Sequence, residues 1–388
     1  MEDGWLKNLK WRIEAWAHSA VAALFRQLPA ETVFVIGEFL GRAIWPFMRA
    51  RRNTIARNLR IVGAASAEES AGAARISFIR SAANLMCSSV SANMRSEEIG
   101  DMLEVENPEM LVEAAAKGRG VMLLLAHMGN WEMLTRLQKS FDEGVKIGGF
   151  YRPLNNPILN ERVLRERQAY GARMFSKRDS LHQVSAFLRN NGVVGILADQ
   201  RVGIQGELVP FFGRLTRASP VPSLLARRCK SEVLALSFRT VAPGKWSARY
   251  HAVEKPHTTA NCMAALEQAM RISLTDVFWL QERWKIYAGG WGSPVKWIGD
   301  PEARGSKPHR VLVWAKESEK DLPLPPGCLH PDIIHEYAIA KEIETLESID
   351  LSKPLPIDYI LTFSEHPGLG AKADELGIPI HSVSTFSE

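Results

Sequence analysis

With 388 residues the chain is long enough to bury one large core, or a large and a small one. Its 46% hydrophobic and 23% charged residues exclude a disordered or fibrous protein, and a net charge of +5 is too modest to argue for nucleic acid. That balance suits an anionic lipid surface or an acidic protein.

The first 60 residues combine apolar, aromatic and basic character. Trp5, Leu6, Leu9, Trp11, Ile13 and Trp16 interleave with Lys7, Lys10 and Arg12. A second apolar run, Val33 to Met48, is interrupted by Glu38 and Arg42, so neither run has the roughly 18 to 20 uncharged residues of a spanning helix. Interfacial amphipathic helices are expected, followed by an arginine cluster (Arg49, Arg51, Arg52, Arg57, Arg60) suited to anionic headgroups. A helical hairpin packed on its own core, with solvated arginines, satisfies the same pattern. Gly63 to Gly72 reads as a loop leading into an amphipathic helix bearing Ile76, Phe78, Ile79, Leu85 and Met86, and Asn107-Pro108 opens another that Gly118 closes.

Val121 to Ala126 is an unbroken apolar run that predicts a buried parallel strand. It turns polar at His127, passes Gly129 and Asn130, and resumes as a predicted helix at Trp131, with Asn130 as N-cap and Glu132 in the first turn. On one continuous helix His127 and Glu132 would diverge by about 140°. With the histidine on the preceding loop they can converge, the carboxylate fixing the tautomer so that the other ring nitrogen accepts a proton. The same residues read equally well as a satisfied histidine and a helix-dipole glutamate. Two further apolar strands, Val145 to Phe150 and Val193 to Ala198, break into polarity at Arg152 and at Asp199-Gln200. Three such ends on one sheet edge place a site there. Between the last two strands Asn156-Pro157 opens a basic helix, Ile158 to Tyr170, carrying Arg162, Arg165 and Arg167, and Asp179-Ser180 opens another that stops at Asn190-Asn191-Gly192.

Gly203 to Ala218 is expected as a loop whose Phe211-Phe212-Gly213 suits the wall of a lipid-tail pocket or simply packs. A helix (Ser223 to Cys229), strands (Glu232 to Thr240, Lys245 to Val253) and a helix from about Met263 follow, leading to Trp279 and to Arg283-Trp284-Lys285. Beyond residue 304, strands are predicted at Arg310 to Ala315, Asp358 to Phe363 and Ile378 to Val383, with helices at Pro331 to Leu346 and Gly370 to Leu376. This resembles half of a doubly wound domain but lacks a phosphate-binding glycine fingerprint, so a small docking or stabilising domain is expected. Cys87, Cys229, Cys262 and Cys328 lie far apart without metal-ligand spacing and read as reduced structural thiols facing the cytosol; neither metal nor cofactor is expected.

Six blocks in order carry a family resemblance: RRNTIARNL (51–59), AHMGNWE (126–132), YRPLNNP (151–157), RERQAYGARMF (165–175), LADQRVGIQGELVPFFGRLTRAS (197–219) and WLQERWK (279–285). From near residue 10 to near residue 290 the chain resembles the lipid A late acyltransferases, within the wider lysophospholipid acyltransferase superfamily; its second block matches their H-x4-D/E motif. With the membrane-associated N-terminal helices (1–60) and the small α/β accessory domain (305–388) read from the residues themselves, the expected fold is α/β, a mostly parallel central sheet flanked by helices. The resemblance implies a catalytic domain (61–304). It implies a fatty acyl group moved from acyl carrier protein or coenzyme A to a hydroxyl of a membrane glycolipid, most simply a lipid A precursor, at the cytoplasmic face of the bacterial inner membrane. A phosphatidylinositol mannoside, another glycolipid or a lysophospholipid would serve the same chemistry. His127 and Glu132 are the expected catalytic pair; Asn130, Arg152, Arg167, Asp199, Gln200, Phe212 and Gly213 are the expected substrate-binding residues, with Arg152 and Arg167 suited to phosphate or oxyanion contacts. A hydrolase using the same pair on water, or a non-catalytic lipid-binding homologue, is the competing expectation.

Overall fold

A computed structural model describes residues 2–91, 96–140, 146–176, 179–203, 205–284, 304–339 and 343–386. Val145 and Lys285, named above, lie outside these. In chain order the elements begin α1 (Glu2–Phe25), α2 (Ala30–Ile44), α3 (Arg49–Val62), α4 (Ser70–Ser91), α5 (Ser96–Met102), β1 (Leu103–Glu106), α6 (Glu109–Ala116) and β2 (Val121–Leu125). A 3-10 segment, Trp131–Ser140, precedes β3 (Lys146–Tyr151), α7 (Pro157–Gln168), β4 (Arg173–Ser176), α8 (Leu181–Arg189) and β5 (Gly192–Leu197). Then come β6 (Glu207–Phe211), β7 (Arg214–Ala218), α9 (Val221–Cys229), β8 (Glu232–Ala242), β9 (Lys245–Ala252) and α10 (Thr259–Arg271). The last are β10 (His309–Ala315), β11 (Ile333–Ile339), α11 (Thr345–Leu351), β12 (Ile357–Thr362), α12 (Leu369–Leu376) and β13 (Ile380–Ser382). Contacts sort these into two compact units, residues 1–41, 79–198 and 221–277 in the first, residues 42–78, 199–220 and 278–388 in the second. Neither unit is a consecutive segment.

The first unit is built on a seven-stranded sheet of order β1-β9-β8-β2-β5-β3-β4, parallel except at the β8–β9 hairpin. All five residues of β2 are buried, as a strand covered on both faces requires. Helices α6 and α9 pack on β2, α8 on β5 and α10 on β8. Gly37 and Gly41 allow α2 to lie close to α4: a Cβ on Gly37 would stand 2.6 Å from the Ala83 Cα. Helix α7 starts on a strong cap, with the Asn156 side chain accepting from the Ile158 and Leu159 amides. Its Nδ2 donates to Trp11 O and Glu14 Oε2, and Arg162 donates to Ala15 O, so α1 is tied along α7 by polar bonds.

The second unit carries an all-parallel sheet, β11-β10-β12-β13. One face packs Val311, Val313, Tyr359 and Leu361 with Leu215 of the β6–β7 hairpin; the other packs Leu312, Trp314 and Ile360 with Leu346, Leu369 and Ala373. Two expectations are corrected here. Residues 203–218 hold a hairpin, because Phe212 (φ 53°) and Gly213 (φ 80°) both adopt the positive φ that a tight two-residue loop needs. In place of the helix expected over Pro331–Leu346, the described residues hold β11 at Ile333–Ile339 and the first turn of α11 from Thr345. Ile333, Tyr337 and Ala340 fit a helical stripe, yet Ile333, Ile334, Tyr337 and Ile339 suit a pleated strand better, and pairing along all of β10 decides for it. Of the α3 arginines, Arg49 and Arg51 are exposed, but Arg60 is buried, pairs with Asp350 at 2.5 Å and donates to the Lys353 and Pro354 carbonyls. Arg57 bonds the Ile357 carbonyl and Arg51 that of Leu280, so these three guanidiniums are engaged within the protein.

Candidate functional site

Strands β2, β5 and β3 are parallel neighbours, so their carboxyl ends lie on one edge of the first sheet. His127 emerges two residues beyond β2 and Arg152 directly beyond β3, as the strand-end pattern predicts. His127 is half-buried and meets the Trp131 indole edge-on, ring centroids 5.3 Å apart. Glu132 sits in the first turn of the 3-10 segment and is gripped by Arg167 of α7: Nε donates to Oε2 at 3.0 Å and Nη2 to Oε1 at 2.5 Å. This is the bidentate fork of a guanidinium on a carboxylate. Burial works against the Arg167 charge, but the hydrogen bonds and charge of Glu132 outweigh it and raise the pKa above the usual value.

The turn between them is held by its backbone. Gly129 has φ +56°, and a Cβ there would stand 2.4 Å from the Phe238 carbonyl oxygen of β8. Its N–H donates to Asp276 O at 3.0 Å, and Met128 forms an antiparallel bridge with Val277. Asn130 does not cap through its side chain as expected. It is 1% exposed, and neither Oδ1 nor Nδ2 has a hydrogen-bond partner, while its backbone carbonyl accepts from the Met133 amide. The segment is a 3-10 helix rather than the expected α-helix.

Arg152 is exposed on the loop after β3. Asp199 and Gln200 stand two and three residues beyond β5 and belong to the second unit. There Asp199 is buried and Gln200 exposed; burial pulls the Arg283 guanidinium well below its usual pKa, and the Asp199 charge opposes that. Phe212 and Gly213 form the tip of the β6–β7 hairpin, where Phe212 is buried in an aromatic cluster with Phe211, Trp279 and Trp284. Among the described residues, no group of three or more His, Cys, Asp or Glu could hold a metal. The four cysteines are buried and form no disulfide, and burial pushes the Cys87 thiol up to about 12.

Two features escaped the sequence. Arg167 was legible as a basic residue of an arginine-rich helix, but not as the partner of a glutamate 35 positions earlier. Asp276 lay in an apolar stretch with no local pattern tying it to the histidine turn; an acid set directly before Val277-Phe278-Trp279 was the available signal.

The family model described as "Bacterial lipid A biosynthesis acyltransferase" matches residues 6–286. A lipid A biosynthesis lauroyltransferase of Escherichia coli is 24% identical over 289 residues, 71% of this chain and 92% of the relative. A phosphatidylinositol mannoside acyltransferase of Mycolicibacterium smegmatis is 26% identical over 133 residues, 33% of this chain and 43% of the relative. A lipid A biosynthesis acyltransferase of Haemophilus influenzae is 23% identical over 145 residues, 37% of this chain and 45% of the relative. The chain therefore spans under half the length of the latter two.

Proposed function

The chain belongs to the family of bacterial lipid A biosynthesis acyltransferases, and from that premise we propose that it moves a fatty acyl group from a thioester donor to a hydroxyl of a membrane glycolipid. The donor is acyl carrier protein or coenzyme A, and the acceptor a lipid A precursor. What carries the reading is one strand end: a histidine just beyond the fully buried β2 and, five residues on, a carboxylate that Arg167 holds with two bonds.

His127 takes the proton of the acceptor hydroxyl, and the oxygen attacks the thioester carbonyl directly. The tetrahedral oxyanion collapses by breaking the C–S bond, and the departing thiolate regains the proton from the imidazolium. A carboxylate oxygen can accept more than one hydrogen bond, so a Glu132 anchored by Arg167 can also stabilise the imidazolium. Arg152, exposed at the same strand edge, is placed to meet phosphate on donor or acceptor. The motif supplies a base without a covalent partner, so no acyl-enzyme is invoked.

The N-terminal helices favour a membrane setting at the cytoplasmic face of the bacterial inner membrane. Trp5, Leu6, Ile13, Trp16 and Leu24 of α1 and Val35 and Phe39 of α2 are exposed, with Lys7, Lys10 and Arg12 beside them. Among the described residues, no helix is long and apolar enough to cross a membrane. Such a face lies in the interface rather than spanning it.

The test is purified His127→Ala, with folding checked by circular dichroism, assayed for transfer from a lauroyl thioester to a tetraacylated lipid A precursor. Loss of transfer by about 10²–10⁴-fold is expected; near-wild-type transfer in the folded variant removes His127 from the mechanism. Omitting the acceptor separates hydrolase from transferase, since a hydrolase releases fatty acid at full rate without it.

A further inference from the structure

A buried polar knot lies behind the histidine turn. Asp276, 3% exposed, follows α10 in the short 3-10 turn Leu274–Asp276. Its Oδ1 accepts from Thr240 Oγ1 at 2.6 Å and Asn84 Nδ2 at 3.1 Å. Its Oδ2 accepts from the Thr240 amide at 3.0 Å and Ser273 Oγ at 2.7 Å, and the Arg80 guanidinium stands 3.9 Å from Oδ1. Asn84 in turn accepts from the Trp246 indole at 2.8 Å, which fixes its amide orientation. The carboxylate thus joins α4 and β8 to the chain after α10, each donor being committed to it by charge-assisted bonds in a water-poor setting.

The same residue reaches the candidate site through its backbone. The Asp276 carbonyl accepts from the Gly129 amide, and Val277 bridges Met128. Gly129 is pressed on its other side against Phe238 O, two residues along β8 from Thr240. The turn carrying His127 is therefore held between β8 and the 276–277 segment, and the Asp276 side chain locks that segment to β8. Moving Asp276 would move Gly129, and with it the approach of His127 to its substrate.

We propose that Asp276 is a positioning residue for acyl transfer: its carboxylate, bonded to Thr240, Asn84 and Ser273, sets the register of the Met128–Gly129 backbone and so the placement of His127. This rests on the acyl-transfer reading above. It assigns no contact between Asp276 and substrate. The knot acts by geometry alone, and a misplacement of about 1 Å at a catalytic group is enough to cost about 10²-fold in rate.

Three variants of the full chain test it: Asp276→Asn, Thr240→Val and the conservative Thr240→Ser. Each is assayed with lauroyl-coenzyme A and a tetraacylated lipid A precursor in phosphatidylglycerol vesicles, beside His127→Ala. Amide hydrogen exchange is followed over 126–133 and, separately, over β2 and β8. For Asp276→Asn we expect kcat to fall about 10²-fold with KM for the thioester changed less than about threefold, and exchange to speed up over 126–133 while β2 and β8 stay protected. Thr240→Val should do the same to a smaller degree, and Thr240→Ser should restore both. A folded Asp276→Asn protein with near-wild-type kcat overturns the proposal, as does exchange that rises equally over β2 and β8, because the role is then general stability. Full transfer by folded His127→Ala overturns the catalytic reading itself and the proposal with it; loss there with none in Asp276→Asn overturns the proposal alone.

Discussion

Arg167 holds Glu132 with two parallel hydrogen bonds, and a point charge cannot reproduce that fork. Arg167→Lys is therefore expected to lower kcat by about tenfold, keeping the charge while freeing the carboxylate to rotate, and Arg167→Gln to lower it further. The two halves of the pair should also move the pH–rate profile in opposite directions. A nearby cation disfavours the imidazolium, so removing it in Arg167→Gln lets His127 protonate more readily, and the acid limb of kcat/KM moves to higher pH. Glu132→Gln removes an anion that favours the imidazolium, and the limb moves to lower pH. Profiles that coincide with the wild type in both variants would show that neither charge is felt by the titrating base.

At the scale of elements, the β6–β7 hairpin is fixed to the second sheet by a buried ion pair. Arg214 is fully buried and donates from Nη2 to Asp358 Oδ2 at 2.6 Å and to the Pro308 carbonyl. Asp358 Oδ2 also accepts from the Arg310 amide at the start of β10. Burial by itself would raise the Asp358 pKa, but the charge of Arg214, helped by His309, holds it down at about 2 from an ordinary 3.8. A depressed folded-state pKa means that this stabilisation is complete above the ordinary value and is lost as pH falls through the range from about 4 to about 2. Near-ultraviolet dichroism should report that loss, through Trp314 on the opposite face of the same sheet. Arg214→Met should cost about 3–5 kcal/mol in urea unfolding by stranding the Asp358 carboxylate, and adding Asp358→Asn should recover part of it. A single Arg214→Met variant as stable as wild type would mean that the pair contributes nothing. What could be read from sequence follows the range of the forces involved. β2, β5 and the helices α7 and α8 declared themselves through unbroken apolar runs and through the caps Asn156 and Ser180, all local signals. His127 and Glu132 were legible because they lie five residues apart at a strand end. The hairpin depended on positive φ at a phenylalanine, which composition does not announce, and β11 on pairing with a strand that ends 18 residues before it begins. Arg60–Asp350 and Asp276–Asn84, 290 and 192 positions apart, are set by tertiary packing alone.

At the scale of the whole molecule, the net charge of +5 and the exposed apolar residues of α1 and α2 bear on the same question, where the chain resides. Exposed single apolar side chains are ordinary on soluble proteins, but Trp5, Leu9, Ile13 and Trp16 recur at intervals of three or four on one helix, and Trp5 and Trp16 are 67% and 73% exposed. The buried side of α1 is already committed: Trp11 and Ala15 give their carbonyls to Asn156 and Arg162, so the helix is held in a defined rotation and the tryptophan face cannot turn inward. A surface of this kind gains by burial in the headgroup region, at about 1.5–3 kcal/mol for a fully buried large apolar side chain, while the adjacent lysines add a salt-sensitive attraction to anionic lipid. Trp5→Ala with Trp16→Ala is therefore expected to weaken binding to phosphatidylglycerol vesicles by about 10²-fold without changing the thermal midpoint, since both rings lie outside the core. Raising the salt from about 0.1 M to about 1 M, which shortens the screening length from about 10 Å to about 3 Å, should weaken the basic contribution while leaving the apolar one. Co-sedimentation reads both. Wild-type protein that stays in the supernatant with phosphatidylglycerol vesicles at low salt would leave these tryptophans without a lipid role, and an intact binding curve for the double variant would move the membrane contact to another element.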